Sequence, residues 1–421
     1  MRNTLFPRVI QKPKDPFLGA VEEVLLKNFP RARLLSSCRS PDLEYSISGK
    51  YARVLFSTGS RLWAAMAVSP TEPGESIHNM LAASLIWRDY LQSSTRWNPS
   101  RMLLLVPRGE QTLLRIRLSW IRGVNRNLLL GEVDLNRRSL EFLDASDTGN
   151  IDTCLTRIFP FFPLEHCQER GEFRRVMELA PAQIEPLYGP DRTSVLFRIH
   201  GLEFARLHLG NTPRLTFGIG PAKEKFTPCC AAALKHLIRE IQFYRQSPAP
   251  DPAHPFYQLQ AERWLESLLL KDIRQLDPCL DHRHVYPQVP MTLGRARGIL
   301  DILAATREGR LVVIELKVSE DIQLPFQGLD YWLRVRWHQE REDLSKNGYF
   351  RSLELSPAAP LLYFVCPQFC YHSTFPLLTS QMDPAVPLHQ IGLNENWREG
   401  VQVVLRRALN KPSDHPPGRK G

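Results

Sequence analysis

Two apolar runs separated by three turn residues set the strongest constraint on this 421-residue chain: Gly298-Ile-Leu-Asp-Ile-Leu-Ala-Ala-Thr306 and Arg310-Leu-Val-Val-Ile-Glu-Leu-Lys-Val318. Short runs this rich in Ile, Leu and Val read as buried strands. Arg307-Glu308-Gly309 between them suits a type I turn followed by a left-handed Gly in a G1 bulge. That turn fixes the register. Thr306 opposes Arg310, and the ladder then brings Asp301 opposite Glu315 as a direct cross-strand neighbour, about 5 Å away at Cβ. Lys317 shares the face of Glu315, while Val312, Ile314, Leu316 and Val318 take the other. A carboxylate in an apolar strand is costly unless it is paired or ligates a metal. Two of them this close repel unless a cation sits between them, and a hard, oxygen-seeking cation such as Mg2+ suits the pair. Lys317 is then placed to hold an attacking water or to steady developing phosphate charge.

The flanking segments add to this core. A helix is predicted over about 325–342, where Gln327 and Tyr331 stand at i and i+4 on one face. A helix over about 256–272 has Trp264, Leu265, Leu268 and Leu269 as its apolar arc. Glu262 lies at the edge of that arc and Glu266 about 40° further towards solvent, so Glu262 is the better candidate to reach a half-buried site. Short strands are expected at Val285–Val289 and at Pro360–Val365. The order of elements fits an α/β sandwich with a mixed sheet. Each piece has an ordinary reading as well. E-x-K is common as a salt-bridged strand face, Asp301 can be a lone acid near a turn, and Gln327 with Tyr331 can be plain helix surface. The set is specific as a whole, in order and in register.

As a whole it resembles the PD-(D/E)XK nuclease superfamily, most of all RecB-like nuclease domains and the C-terminal domain of NucS/EndoMS-type DNA endonucleases. The likeness rests on Glu262, Gly298-Ile-Leu-Asp301, Val313-Ile-Glu-Leu-Lys317 and Gln327-Gly-Leu-Asp-Tyr331, and it covers roughly residues 256–366. The resemblance implies a restriction-endonuclease-like sandwich and a Mg2+- or Mn2+-dependent phosphodiesterase that leaves a 5′-phosphate. In it Asp301 and Glu315 would ligate the metal, Glu262 would be an accessory ligand and Lys317 would assist the water. Gln327 and Tyr331 would shape the site. The cysteines lack the spacing of the iron–sulfur-bearing RecB relatives, and residues 1–255 carry no recognised family motif.

Gln246-Ser-Pro-Ala-Pro-Asp-Pro-Ala-His-Pro255 holds four prolines in ten residues, which no helix or central strand tolerates. The predicted organisation is therefore a basic α/β domain over 1–145, a mostly β region with a closing helix over 146–245, a Pro-rich linker over 246–255, the nuclease-like domain over 256–410 and a disordered tail over 411–421. The first domain runs helix, three strands, helix, strand. Arg61-Leu-Trp-Ala-Ala-Met-Ala-Val-Ser69 aligns with the Arg310–Ser319 strand, with Met66 and Val68 roughly where Glu315 and Lys317 stand. A diverged, degenerate duplicate and a chance recurrence of the same order are both open. Residues 108–228 read mostly as antiparallel strands, with Leu114–Trp120 strictly alternating and placing Arg115 and Arg117 on one face.

The net charge of +10 lies almost wholly in the first 255 residues, which suggests an acidic partner, with nucleic acid the commonest. Arg115, Arg117, Arg122 and Arg297 are the candidate phosphate contacts, against the plainer reading of a solvated sheet face. The eight cysteines form no C-x-x-C pair, so a zinc ribbon or thioredoxin-type motif is excluded and free thiols are expected. No apolar run approaches the ~18 residues of a membrane span and no signal-peptide core follows Met1, so a cytoplasmic location is expected. The expectation for function is a DNA endonuclease of the repair or foreign-DNA-processing kind, with a homodimer as one assembly to consider. Its rivals are a catalytically inactive nucleic-acid-binding protein on a nuclease fold and a scaffold protein.

Overall fold

The computed structural model describes residues 15–42, 47–72, 74–94, 97–122, 127–144, 156–293 and 296–409. They form two compact units, Met1–Thr153 with Ser373–Asp383, and Cys154–His372 with Pro384–Gly421. The expected tail, 411–421, lies outside the described residues. None of the described helices is long and apolar enough to cross a membrane. The described cysteines are free thiols.

In the first unit, helix α1 (Pro16–Asn28) precedes strands β1 (Ala32–Cys38), β2 (Tyr51–Thr58) and β3 (Arg61–Val68). Helix α2 (Gly74–Ser94), β4 (Arg101–Pro107), α3 (Thr112–Leu118), β5 (Leu128–Asp134) and β6 (Ser139–Leu143) come next. The sheet runs β1-β2-β3-β4-β5-β6, with β3, β4 and β5 parallel and the outer pairings antiparallel. Asp15 caps α1 by accepting from the Phe17 and Leu18 amides, and Val21, Val24 and Leu25 bury its inner face against the sheet. The 373–383 segment returns here, where Ile121 bridges Met382.

The expectation of a strand at Leu114–Trp120 is corrected: Thr112–Leu118 is α3. Seven residues are too few for an alternation to exclude a helical turn, and Leu114 and Leu118 lie one turn apart, both buried. Arg115 and Arg117 therefore do not share a face. Arg117 is buried, and its guanidinium donates to the His78 carbonyl. It is not an exposed phosphate contact. Arg122 is exposed and donates through Nε to the Met382 carbonyl at 2.8 Å.

The second unit begins with β7 (Arg157–Ile158) and two short helices, α4 (Glu165–Gln168) and α5 (Gly171–Met177). A purely antiparallel sheet comes next, β8 (Ile184–Tyr188), β9 (Ser194–Ile199), β10 (Leu202–His208), β11 (Arg214–Phe217) and β12 (Glu224–Lys225). It is closed by α6 (Ala231–Tyr244), whose Leu234, Ile238 and Ile241 fill its core. So 108–228 holds antiparallel strands in the β5–β6 pair and from β8 onward, interrupted by the helices α3, α4 and α5. Arg245 pins the far end of the Pro-rich segment back onto this sheet. It is fully buried, and it donates to the carbonyls of His200, Phe256, Leu259 and Gln260.

After α7 (Pro255–Gln258) come α8 (Ala261–Lys271), β13 (Leu280–Leu293), β14 (Ala296–Thr306), β15 (Leu311–Leu316), α9 (Leu324–Glu340), α10 (Asp343–Lys346), β16 (Leu361–Pro367), β17 (Leu388–Leu393) and β18 (Val403–Ala408). Here β13 extends far beyond the five residues expected of it. The sheet order is β18-β17-β16-β15-β14-β13-β7. Again β15, β16 and β17 are parallel and the outer pairings antiparallel. From β13 to β18 this is the order and direction of β1 to β6, strand for strand, with α1 matched by α8 and α2 by α9.

Met66 pairs with Leu104, the fourth residue of β4, as Glu315 pairs with Phe364, the fourth residue of β16. Across the antiparallel ladder Met66 faces Arg53. The first sheet thus carries Arg53 and Met66 where the second carries Asp301 and Glu315. Arg53 is buried and ion-paired to Asp42 at 3.8 Å.

Helix α9 lies close on β16 because residue 328 has no side chain: a Cβ there would come 2.5 Å from Phe364 Cε1. Gly328→Ala should therefore lower stability by about 1–3 kcal/mol through overpacking, although Ala is intrinsically the better helix former by about 1 kcal/mol. Chemical denaturation of the two proteins measures the sign.

Candidate active site

The β14–β15 hairpin forms as its turn residues dictate. The Thr306 amide donates to the Arg310 carbonyl at 2.8 Å, and Gly309 takes the left-handed conformation at φ 79°. Pairing runs from Ala305–Leu311 to Ile302–Ile314, so the next positions are Asp301 and Glu315. Both residues are buried, at 6% and 4% exposure. Asp301 Oδ2 accepts from the Leu316 amide at 2.9 Å, which ties the acid across the opening between the strands. Glu315 Oε2 is buried with no hydrogen-bond partner.

Helix α8 supplies one countercharge and the end of β15 another. Arg263 Nη1 lies 3.1 Å from Asp301 Oδ1 and 2.6 Å from Glu266 Oε2. Lys317, just past β15, reaches Glu262 at 3.6 Å and Asp321 at 3.7 Å. Glu262 therefore stands at the rim of the site, engaged with Lys317. Among the described residues no three His, Cys, Asp or Glu side chains converge as a ready ligand set. Asp301 and Glu315 are the two donors present for a hard cation, and the orphaned Glu315 oxygen suits one.

The expectation that Glu266 faces solvent is corrected: its exposure is 0%. The wheel places it outside the arc that meets the mixed sheet, but α8 has a second neighbour, the antiparallel sheet. Arg198 of β9 donates to Glu266 Oε1 at 2.8 Å, and Gln288 Nε2 approaches the same oxygen at 3.0 Å. Gln288 sits beside Asp301, between the Pro287–Ile302 and Val289–Leu300 pairs. An ionic chain thus runs Arg198–Glu266–Arg263–Asp301. Sequence reasoning missed Arg263, Arg198 and Gln288. The one local signal was Arg263 at i,i+3 from Glu266.

From α9, the Tyr331 hydroxyl accepts from the Ile299 amide at 3.1 Å, where β14 runs beyond the end of β15. Gly298 makes room for it, since a Cβ there would come 2.8 Å from the Tyr331 ring and 2.5 Å from Arg334 Nη1. Gln327 stands one turn earlier, with Oε1 buried and without a partner. Arg297 is exposed on β14, four residues before Asp301. Asp301, Glu315, Lys317, Glu262 and Tyr331 are thus brought together. Arg115, Arg117 and Arg122 belong to the other unit.

Burial pushes the Asp301 carboxyl up to about 6, against the opposing pull of Arg263 and the Leu316 amide. Burial, and then the neighbouring Asp301, holds Glu315 well above the usual carboxylate range. Burial alone would lower the Lys317 ammonium, but Glu262, Glu315, Asp321 and Asp301 outweigh it and raise the group. Burial and then Glu315 raise the Tyr331 phenol. Both acids are thus harder to ionise here than in water.

No family model and no curated protein matches the sequence. The chemistry of the site therefore rests on its geometry.

Two measurements test these assignments. Raised carboxyl pKa values stabilise the fold at pH below the unfolded values near 4, and that stability is lost as pH rises through about 6 and beyond. In EDTA, wild type should thus lose of order 1–3 kcal/mol between pH 5 and pH 8 relative to Glu315→Gln; parallel stability curves for the two would refute the assignment. Separately, Arg198→Ala leaves Glu266 buried without that partner and should cost about 3–5 kcal/mol, much of it regained in Arg198→Met/Glu266→Leu. Urea titration of wild type and the two variants measures these differences.

Proposed function

We propose that the chain is a Mg2+- or Mn2+-dependent deoxyribonuclease, its β13–β18 sheet and flanking helices forming a restriction-endonuclease-like sandwich. The supporting observation is the buried, adjacent pair Asp301 and Glu315, with one carboxylate oxygen unpartnered and Lys317 beside it. No purely structural role requires two acids at the open end of a hydrophobic hairpin, where each raises the cost of charging the other.

Asp301 and Glu315 would hold the cation, which when bound would offset their charge and polarise a water or phosphoryl oxygen. The Leu316 amide fixes the Asp301 carboxylate, and Arg263 anchors its other oxygen. Lys317 is held charged by Glu262 and Asp321 at the rim, where its ammonium can orient a water or offset charge developing on phosphate. Tyr331 closes the gap beyond β15 and keeps the β14 backbone in place.

A second reading, an inactive nucleic-acid-binding protein on this fold, draws on one observation: Arg263 and Lys317 already give the carboxylates cationic neighbours. Incubation of supercoiled, single-stranded and branched DNA with the full-length chain, in Mg2+, Mn2+ or EDTA, separates the two. Nuclease activity predicts metal-dependent cleavage that Asp301→Asn and Glu315→Gln each reduce at least about 1,000-fold, and Lys317→Ala about 100-fold or more. Cleavage that survives in the carboxamide variants, or no cleavage of any substrate by wild type, would overturn it.

A further inference from the structure

Beside the candidate site the second unit holds an open cavity of about 710 Å³. Its lining includes Arg157, Phe159, Pro290, Thr292, Arg297 and Ile299. The β-ladders arrange these residues. Arg157 pairs with Thr292 and Thr292 with Arg297, so two arginines flank a threonine in one row across β7, β13 and β14. That row spans two strand spacings, about 10 Å. Both arginines are exposed, as are Phe159 and Ile299, each at 36%. Asp191 also lines the cavity, but its Oδ1 already accepts from the Thr193 amide and the Ser194 hydroxyl. Ile299 is two residues, about 7 Å, from Asp301 along the same strand.

We infer that this groove binds a single strand of DNA with its bases unpaired, and feeds it towards Asp301. The inference deepens the nuclease reading and rests on it for the direction of travel, but not for the binding. Two exposed arginines two strand spacings apart fit a polyanion, while an exposed phenyl ring and an isoleucine, each two residues further along the chain from one of the arginines, fit the faces of bases. Base faces are available only when the strand is unpaired, since a duplex presents phosphates and base edges to its surroundings. A concave site of this size also takes a nucleotide or two, not the width of a double helix.

The test is fluorescence anisotropy of labelled oligothymidylate, about 12 nucleotides long, with the full-length chain in EDTA. An abasic strand and a duplex of the same length serve as competitors. The expected result is tighter binding of the single strand than of the duplex. Arg157→Gln/Arg297→Gln should weaken it roughly 10- to 100-fold and flatten its salt dependence by about one to two units of slope. Phe159→Ala should weaken oligothymidylate roughly 5- to 100-fold and leave the abasic strand unchanged. All three side chains are exposed, and an unchanged melting temperature verifies folding. Equal affinity for duplex and single strand, or unchanged binding and salt slope in the double variant, would overturn the inference. Binding through these residues with no metal-dependent cleavage of the bound strand would leave the groove standing and refute the nuclease reading. Cleavage without their involvement in binding would do the reverse.

Discussion

Burying two carboxylates side by side at the mouth of a hydrophobic hairpin is the condition to which the rest of the second unit answers. Asp301 and Glu315 share one face because a three-residue turn sets the register, and both are buried. Left alone, they would make the hairpin unstable at neutral pH. The surrounding residues offset that cost in part. The Leu316 amide takes one oxygen of Asp301, Arg263 takes the other, and Lys317 supplies nearby positive charge. Glu315 retains a bare oxygen. In the proposed reading, that oxygen is the donor left for a cation.

The offset reaches beyond the hairpin. Arg263 is oriented by Glu266, and Glu266 is neutralised by Arg198 on the antiparallel sheet. That sheet therefore helps to position the site, and Arg245 locks the Pro-rich segment between them through four backbone carbonyls. The boundary that the prolines suggest is a change of local structure within one compact unit. In the other unit the same strand order carries Arg53 opposite Met66. A buried arginine and a thioether have no affinity for a hard cation, so that sheet offers no counterpart of the proposed site.

Much of the site was legible because its determinants are local. Gly309 can adopt the left-handed turn at little cost, the turn fixes the register, and the register places Asp301 beside Glu315. The parallel β15–β16 and β3–β4 pairings arise from a strand, a helix and a second apolar run in succession. What stayed hidden depends on a second partner. Glu266 reads as solvent-facing on a wheel that knows one packing face, and is buried because α8 has two. Arg117 reads as exposed on a strand, and the tertiary fold makes that segment a helix with the guanidinium turned inward. Arg198 lies 68 residues before Glu266, at a distance no local pattern reaches.

Asp301 and Glu315 are proposed to form a binding site for one divalent cation. Electron paramagnetic resonance of Mn2+ titrated into the full-length chain tests it without recourse to any substrate. One ion should bind per wild-type chain and be displaced by excess Mg2+, and none should bind at this site in Asp301→Asn or Glu315→Gln. Wild type that leaves Mn2+ free in solution, or carboxamide variants that bind it as tightly as wild type, would contradict it.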